Sequence, residues 1–133
     1  MQQYPVKILM ALAETFKEED NQFHAWLLTN GFPELAAFSS AVRGSEGAFG
    51  WLMQNKFYSL AALDGAIDNQ EKAIKWLQNY NQDLYLNIAG AVNGNPRSIN
   101  WLASNDLEIF LILAGSIRTF RDSQTFDYHK MRF

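Results

Sequence analysis

The chain has 133 residues, 48% of them hydrophobic and 19% charged, which is enough apolar material for one continuous core and too little length for two. It contains no cysteine, so disulfides, thiolate metal sites and cysteine nucleophiles are excluded. A formal charge of −3 and a pI near 5.3 argue against nucleic acid and anionic membrane surfaces as partners, because both demand clustered lysine and arginine.

Taken in chain order, the first element is an amphipathic helix from about Val6 to Glu18. Its apolar run, Ile8 to Ala13, is shorter than the core of a secretory signal, and no later stretch approaches the roughly 18 residues of a membrane span. A cytoplasmic protein is therefore expected. The run Lys17-Glu18-Glu19-Asp20 reads as the solvated end of this helix.

A fixed beat then sets in. Trp26, Trp51, Trp76 and Trp101 recur with a constant 25-residue spacing, and each is followed by a leucine: Leu27, Leu52, Leu77 and Leu102. Such spacing is the signature of a repeat protein. Around each tryptophan the apolar positions fall at i, i+3 and i+4, as in Ala48, Trp51 and Leu52, which predicts a short helix, here termed helix A. The tryptophan column is expected to form the buried interior spine of the array, so that truncating one ring costs about 3–5 kcal/mol. Asn30, Asn55 and Asn105 follow helix A, where asparagine adopts a left-handed conformation or caps the next helix.

The second half of each repeat predicts another helix, helix B, with columns such as Leu35, Leu60, Tyr85, Phe110 and Phe38, Leu63, Ile88, Leu113. Within it recur the small residues Ser40, Gly65, Gly90 and Gly115. Glycine inside a helix costs about 1 kcal/mol relative to alanine, so its recurrence implies close helix contact. The segments Arg43-Gly44-Ser45, Asp68-Asn69-Gln70 and Asn93-Gly94-Asn95-Pro96 are tight-turn compositions. At the ends, Met10 and Ala13 fall in the helix B columns, while Phe126 lies one period after Trp101 and marks the tail as a decayed helix A.

The expected architecture is all-α: a right-handed α-solenoid of short antiparallel helix pairs in one domain, residues 1–133. A cap helix (1–22) precedes four repeats (23–47, 48–72, 73–97, 98–122), and a second cap (123–133) follows them. One helix stands out. Glu108 to Ile117 is apolar nearly all round and must be covered. The expectation is that the tail from Ser123 to Phe133 folds over it through Phe126, Tyr128 and Phe133. The alternative is a self-association or partner surface on Ile109 and Ile112, giving a homodimer through Ile109 to Ile117.

The stretch from Leu86 through Gly90, Ala91, Gly94 and Pro96 to Trp101 and Leu102 resembles the two-helix part of an ankyrin repeat. Helix B corresponds to that family's first helix and helix A to its second. The resemblance implies stacked helix pairs that bind proteins. Because the 25-residue repeat is short, with Asn55-Lys56-Phe57-Tyr58 where the family begins its β-hairpin, the hairpin fingers are expected to be missing.

Chemistry-bearing groups are sparse. His24 shares a column with Phe49, Ile74 and Ile99 and reads as a partly buried packing residue. His129 sits among tail charges. Asp64 and Asp68 share a helix face with Glu71 nearby, fewer oxygen ligands than a metal site normally gathers. No phosphate loop or nucleophile elbow is present; Gly44 and Gly47 flank Ser45 only as a turn. The reading is a non-enzymatic protein-interaction module with no cofactor. Its partner face is expected along helix B, through exposed Glu34, Ser59, Leu84 and Ile109, through Ile112, and through the turn residues Arg43, Asp68 and Asn93. An enzyme or small-molecule receptor with a pocket between repeats, or a purely structural homo-oligomer, are the alternatives.

Overall fold

The structure is a computed structural model that describes residues 1–17 and 21–132, with side chains through position 124. Its described residues form helices only: α1 (Val6–Thr15), α2 (Gln22–Thr29), α3 (Pro33–Val42), α4 (Glu46–Gln54), α5 (Tyr58–Ile67), α6 (Glu71–Asn79), α7 (Asp83–Val92), α8 (Pro96–Ser104) and α9 (Glu108–Arg132). Helices α2, α4, α6 and α8 carry the tryptophans and correspond to helix A. Helices α1, α3, α5, α7 and α9 correspond to helix B.

The turns explain the regularity. After each helix A an amide further along closes onto the carbonyl of the leucine that follows the tryptophan, as Phe32, Phe57, Gln82 and Leu107 do onto Leu27, Leu52, Leu77 and Leu102 at 2.8–2.9 Å. Such a closure needs one left-handed residue. That residue is Gly31, Lys56, Asn81 or Asp106, one position after the expected asparagines. Asn30, Asn55 and Asn105 keep negative φ and act through their side chains, donating to the Trp26, Trp51 and Trp101 carbonyls at 2.7–2.9 Å. Helix B ends the same way, with left-handed Gly44, Asn69 and Gly94.

This rule also accounts for the one missing turn. The next position in the Gly44, Asn69, Gly94 column is Thr119, a β-branched residue poorly suited to left-handed backbone. The helix runs on. Helix α9 is continuous from Glu108 to Arg132, so the expected fold-back of the tail over it does not occur. The side chains of Phe126, Tyr128 and Phe133 lie outside the described residues.

Helices α1, α3, α5 and α7 each pack on the helix A that follows. The helices B also pack on one another in sequence, α1 on α3, α3 on α5, α5 on α7 and α7 on α9, and α9 returns to pack on α1. An open array leaves its terminal elements apart. Here they meet, so five helices form a closed inner ring. Among the described residues the backbones of the outer helices do not approach one another closely, as expected where an outer layer has the larger circumference.

The tryptophans pack against the core but are less deeply buried than the leucines beside them. Leu27, Leu52, Leu77 and Leu102 are all 0% exposed, whereas Trp26, Trp51, Trp76 and Trp101 are partly buried against the core. Successive helix residues point about 100° apart. The leucine faces the ring and the tryptophan faces the uncovered flank. The interior is completed by Phe38, Leu63, Ile88, Leu113 and Phe110 from the inner helices.

Candidate functional site

The residues expected to bind a partner divide between the two ends of the ring. Glu34, Ser59, Leu84 and Ile109 sit in the first turns of α3, α5, α7 and α9, and all four are half-buried instead of exposed. The segment leading into α1 accounts for Glu34. Tyr4 donates to Glu34 Oε2 at 2.7 Å and meets the Phe32 ring edge-on at 6.0 Å. Buried Met1 sends its amino group to Tyr85 Oη at 3.1 Å. Burial, and then the bond to the Glu34 carboxylate, holds the Tyr4 phenol well above its ordinary range, and burial pushes Tyr85 up to about 12. Both phenols stay protonated, Tyr4 donating to Glu34 and Tyr85 accepting from the Met1 amino group.

At the other end the turn residues Arg43, Asp68 and Asn93 are exposed as residues, yet two of them are tied to the rest of the ring. The C-terminal ends of parallel helices gather there, leaving carbonyls that favour cations. Arg43 donates to the Thr15 carbonyl at the end of α1 and lies over the Phe120 ring at 4.6 Å, and Phe120 in turn packs on Phe16 at 6.1 Å. Arg121 donates to the Ile67 carbonyl at 2.8 Å and to Asn93 Oδ1 at 3.0 Å. Phe120 and Arg121 lie on α9 beyond the point where the other inner helices stop. The unbroken helix thus fastens the ring closed. Ile112, the remaining candidate, is 44% exposed on α9.

Asp64, one turn before Asp68 on α5, is the carboxylate most perturbed here. Burial, and then the charge of Asp68, raise its pKa to about 6 from an ordinary 3.8; burial also raises Asp68, opposed by the Arg121 charge. With its pKa raised, folded Asp64 binds a proton that the unfolded chain has released, so its contribution is most favourable below pH 4 and is lost as the pH rises to about 6. Asp64→Asn is therefore expected to stabilise the protein at pH 7 by about 1 kcal/mol and to flatten the pH 4–6 slope of stability. Urea titrations at pH 4 and pH 7 measure both. A destabilised variant at pH 7 would mean that the carboxylate has an essential charged partner.

His24 is half-buried, with Nε2 at 2.9 Å from Ser40 Oγ. Glu71 pairs with Lys75 at 3.3 Å on the surface. No group of three or more histidines or carboxylates among the described residues is placed to hold a metal, and none of these helices is long and apolar enough to cross a membrane. His129 lies outside the described side chains.

A second surface was not anticipated from the sequence, and it follows from the separated outer helices. Between α2 and α4 lies a pocket of about 300 Å³, walled by His24, Leu28 and Trp51 and floored by Ala36, Ala37 and Ser40 of α3. Another of about 320 Å³ is lined by Lys7, Met10, Ala11 and Glu14 of α1 and by Phe23 and Trp26 of α2. Leu28, Phe49, Met53, Tyr80 and Ile99 remain exposed on the outer helices and their flanking turns, as does Tyr58 at the start of α5. Aromatic rings support one another along this surface: Trp51 stacks on Phe57 at 5.8 Å, while Trp76 meets Tyr58 at 6.5 Å and Tyr80 at 4.6 Å. The signal for it lay in the sequence as the column His24, Phe49, Ile74, Ile99, apolar on a helix whose buried side is already satisfied by leucine. Comparison of the chain with protein-family models, with curated proteins and with solved structures finds no match.

Proposed function

We propose that this chain is a non-enzymatic protein-interaction module of the cytoplasm, an ankyrin-like right-handed array of four 25-residue helix pairs with half-repeat ends. The observation that carries the reading is the outer surface. Apolar and aromatic side chains recur there at the repeat spacing, on the outer helices, flanked by half-buried tryptophans. Exposed apolar groups in register on a firm scaffold are what partner recognition uses, with aromatic anchors in shallow pockets. The perturbed carboxylates Asp64 and Asp68 lie at the ring end, away from these grooves, so they supply no acid–base pair to them.

Affinity capture from the native cell, comparing the wild type with Phe49→Asp, tests this proposal. The change is on an exposed position and should leave folding intact while abolishing recovery of a protein partner. Recovery that is indifferent to the substitution, or a bound metabolite in place of any protein, would sink the reading.

A further inference from the structure

Among the described residues, five inner helices carry four outer ones. Helices α3, α5 and α7 are each covered by the helix A that follows, at the small-residue column. A β-carbon on Gly65 would lie 2.8 Å from Ala73 Cβ, and one on Gly90 would lie 2.7 Å from Ser98 Cβ. Gly115 occupies the same column of α9, and no described atom comes within 4 Å of the place where its β-carbon would stand. One turn earlier Ile112 is 44% exposed. Among the described residues, the outer position over α9 is vacant.

The far side of the same gap is half-built. The 320 Å³ pocket on α1 and α2 is the pocket between α2 and α4 displaced by one repeat: Ala11, Phe23 and Trp26 stand one period before Ala36, Ala48 and Trp51. The later pocket has a second wall, His24 and Leu28 of the preceding outer helix. Among the described residues, the earlier one is lined by α1 and α2 alone. Because α9 packs on α1, both unfinished surfaces border one gap.

The chain's own next repeat does not suit the gap. Ser123 and Phe126 hold the register of Ser98 and Trp101, but Asp127 falls where Leu27, Leu52, Leu77 and Leu102 are each fully buried. A carboxylate there would be desolvated against an apolar floor. The three later outer helices, with Ala48, Ala73 and Ser98 three positions ahead of Trp51, Trp76 and Trp101, define an occupant that does suit the gap.

We infer that the gap over α9 and α1 takes an amphipathic helix from a partner protein, bearing a small residue, an aromatic residue three positions later and a leucine immediately after it. Docked there, the helix completes the outer layer as a fifth member, with its small residue on Gly115, its leucine on the inner ring and its aromatic ring on the flank. The inference rests on the protein-interaction reading, but it uses a different surface from the grooves around Phe49.

The probe is a lactam-stapled, fluorescein-labelled peptide with the α8 sequence, residues 95–107, titrated against the full chain by fluorescence polarisation. Saturable one-to-one binding is expected, weakened about tenfold or more by Leu102→Asp in the peptide and by Gly115→Leu in the chain. Ile112→Lys, at an exposed position, is a second block should Gly115→Leu fail to fold. Phe49→Asp should leave peptide binding unchanged, so failure here is separable from failure of the outer-groove reading. Equal binding of the parent peptide and its Leu102→Asp variant overturns the inference, as does indifference to both chain variants. So does a dimer in sedimentation that Ile112→Lys converts to monomer, which would assign the gap to a second copy.

Discussion

Leu77→Ala should lower stability by about 3–4 kcal/mol, and Trp76→Ala by only about half as much, although the tryptophan loses far more atoms. Leu77 is 0% exposed, held between α6 and the inner ring, and its removal leaves a cavity lined by residues that the closed ring keeps from collapsing. Trp76 is half-buried. Part of its ring already faces water, and its neighbours Tyr58 and Tyr80 are surface rings that can shift into the space left behind. Urea denaturation of the two variants compares them directly. A larger loss from Trp76→Ala would return the tryptophans to the role of interior spine and leave them no part in bordering a recognition surface.

Much of the local architecture was legible. The 25-residue beat, the paired helices and the terminal helix of B type are written in columns of apolar residues, because a helix of eight to ten residues is held in place only by the face it buries. The turns were legible in composition but misplaced by one residue. Asparagine satisfied the rule for a left-handed position, yet Gly31, Lys56, Asn81 and Asp106 hold it, and the asparagine amides cap carbonyls instead. Lysine gives no such signal by type, so only the hydrogen-bond register could reveal Lys56.

Ring closure was not legible, for a different physical reason. Whether helix pairs stack in an open array or curve until the ends meet depends on small rotations per repeat, and no single residue type encodes them. The clue was a negative feature, the unsuitability of Thr119 for the turn that Gly44, Asn69 and Gly94 make. Extension of α9 then carries Phe120 and Arg121 across to Phe16, Arg43, Ile67 and Asn93. The same closure explains why the expected partner face changed character. Arg43 and Asn93, chosen as exposed turn residues, are used by the chain itself, and Glu34 is bonded by Tyr4. A repeat period identifies equivalent positions; it does not say which of them the closing contacts consume.

Equivalent positions can therefore demand opposite things, and the glycine column makes the contrast measurable. Gly90→Ala should destabilise by about 2 kcal/mol and Gly115→Ala should stabilise by about 0.5–1 kcal/mol, although both glycines lie inside helices in the same register. A methyl group lowers the entropy of the unfolded chain and favours helix at both sites. At Gly90 that gain is outweighed, because the new carbon would meet Ser98 Cβ at 2.7 Å and force α7 and α8 apart; at Gly115 nothing described lies within 4 Å, so the gain stands. Ser98→Gly should restore part of the loss in the Gly90→Ala background, and that coupling distinguishes a clash from a general helix effect. Thermal and urea unfolding of the four variants decide the matter. If Gly115→Ala were destabilising, some group would already cover α9 at that point, and the vacancy in the outer layer would not exist.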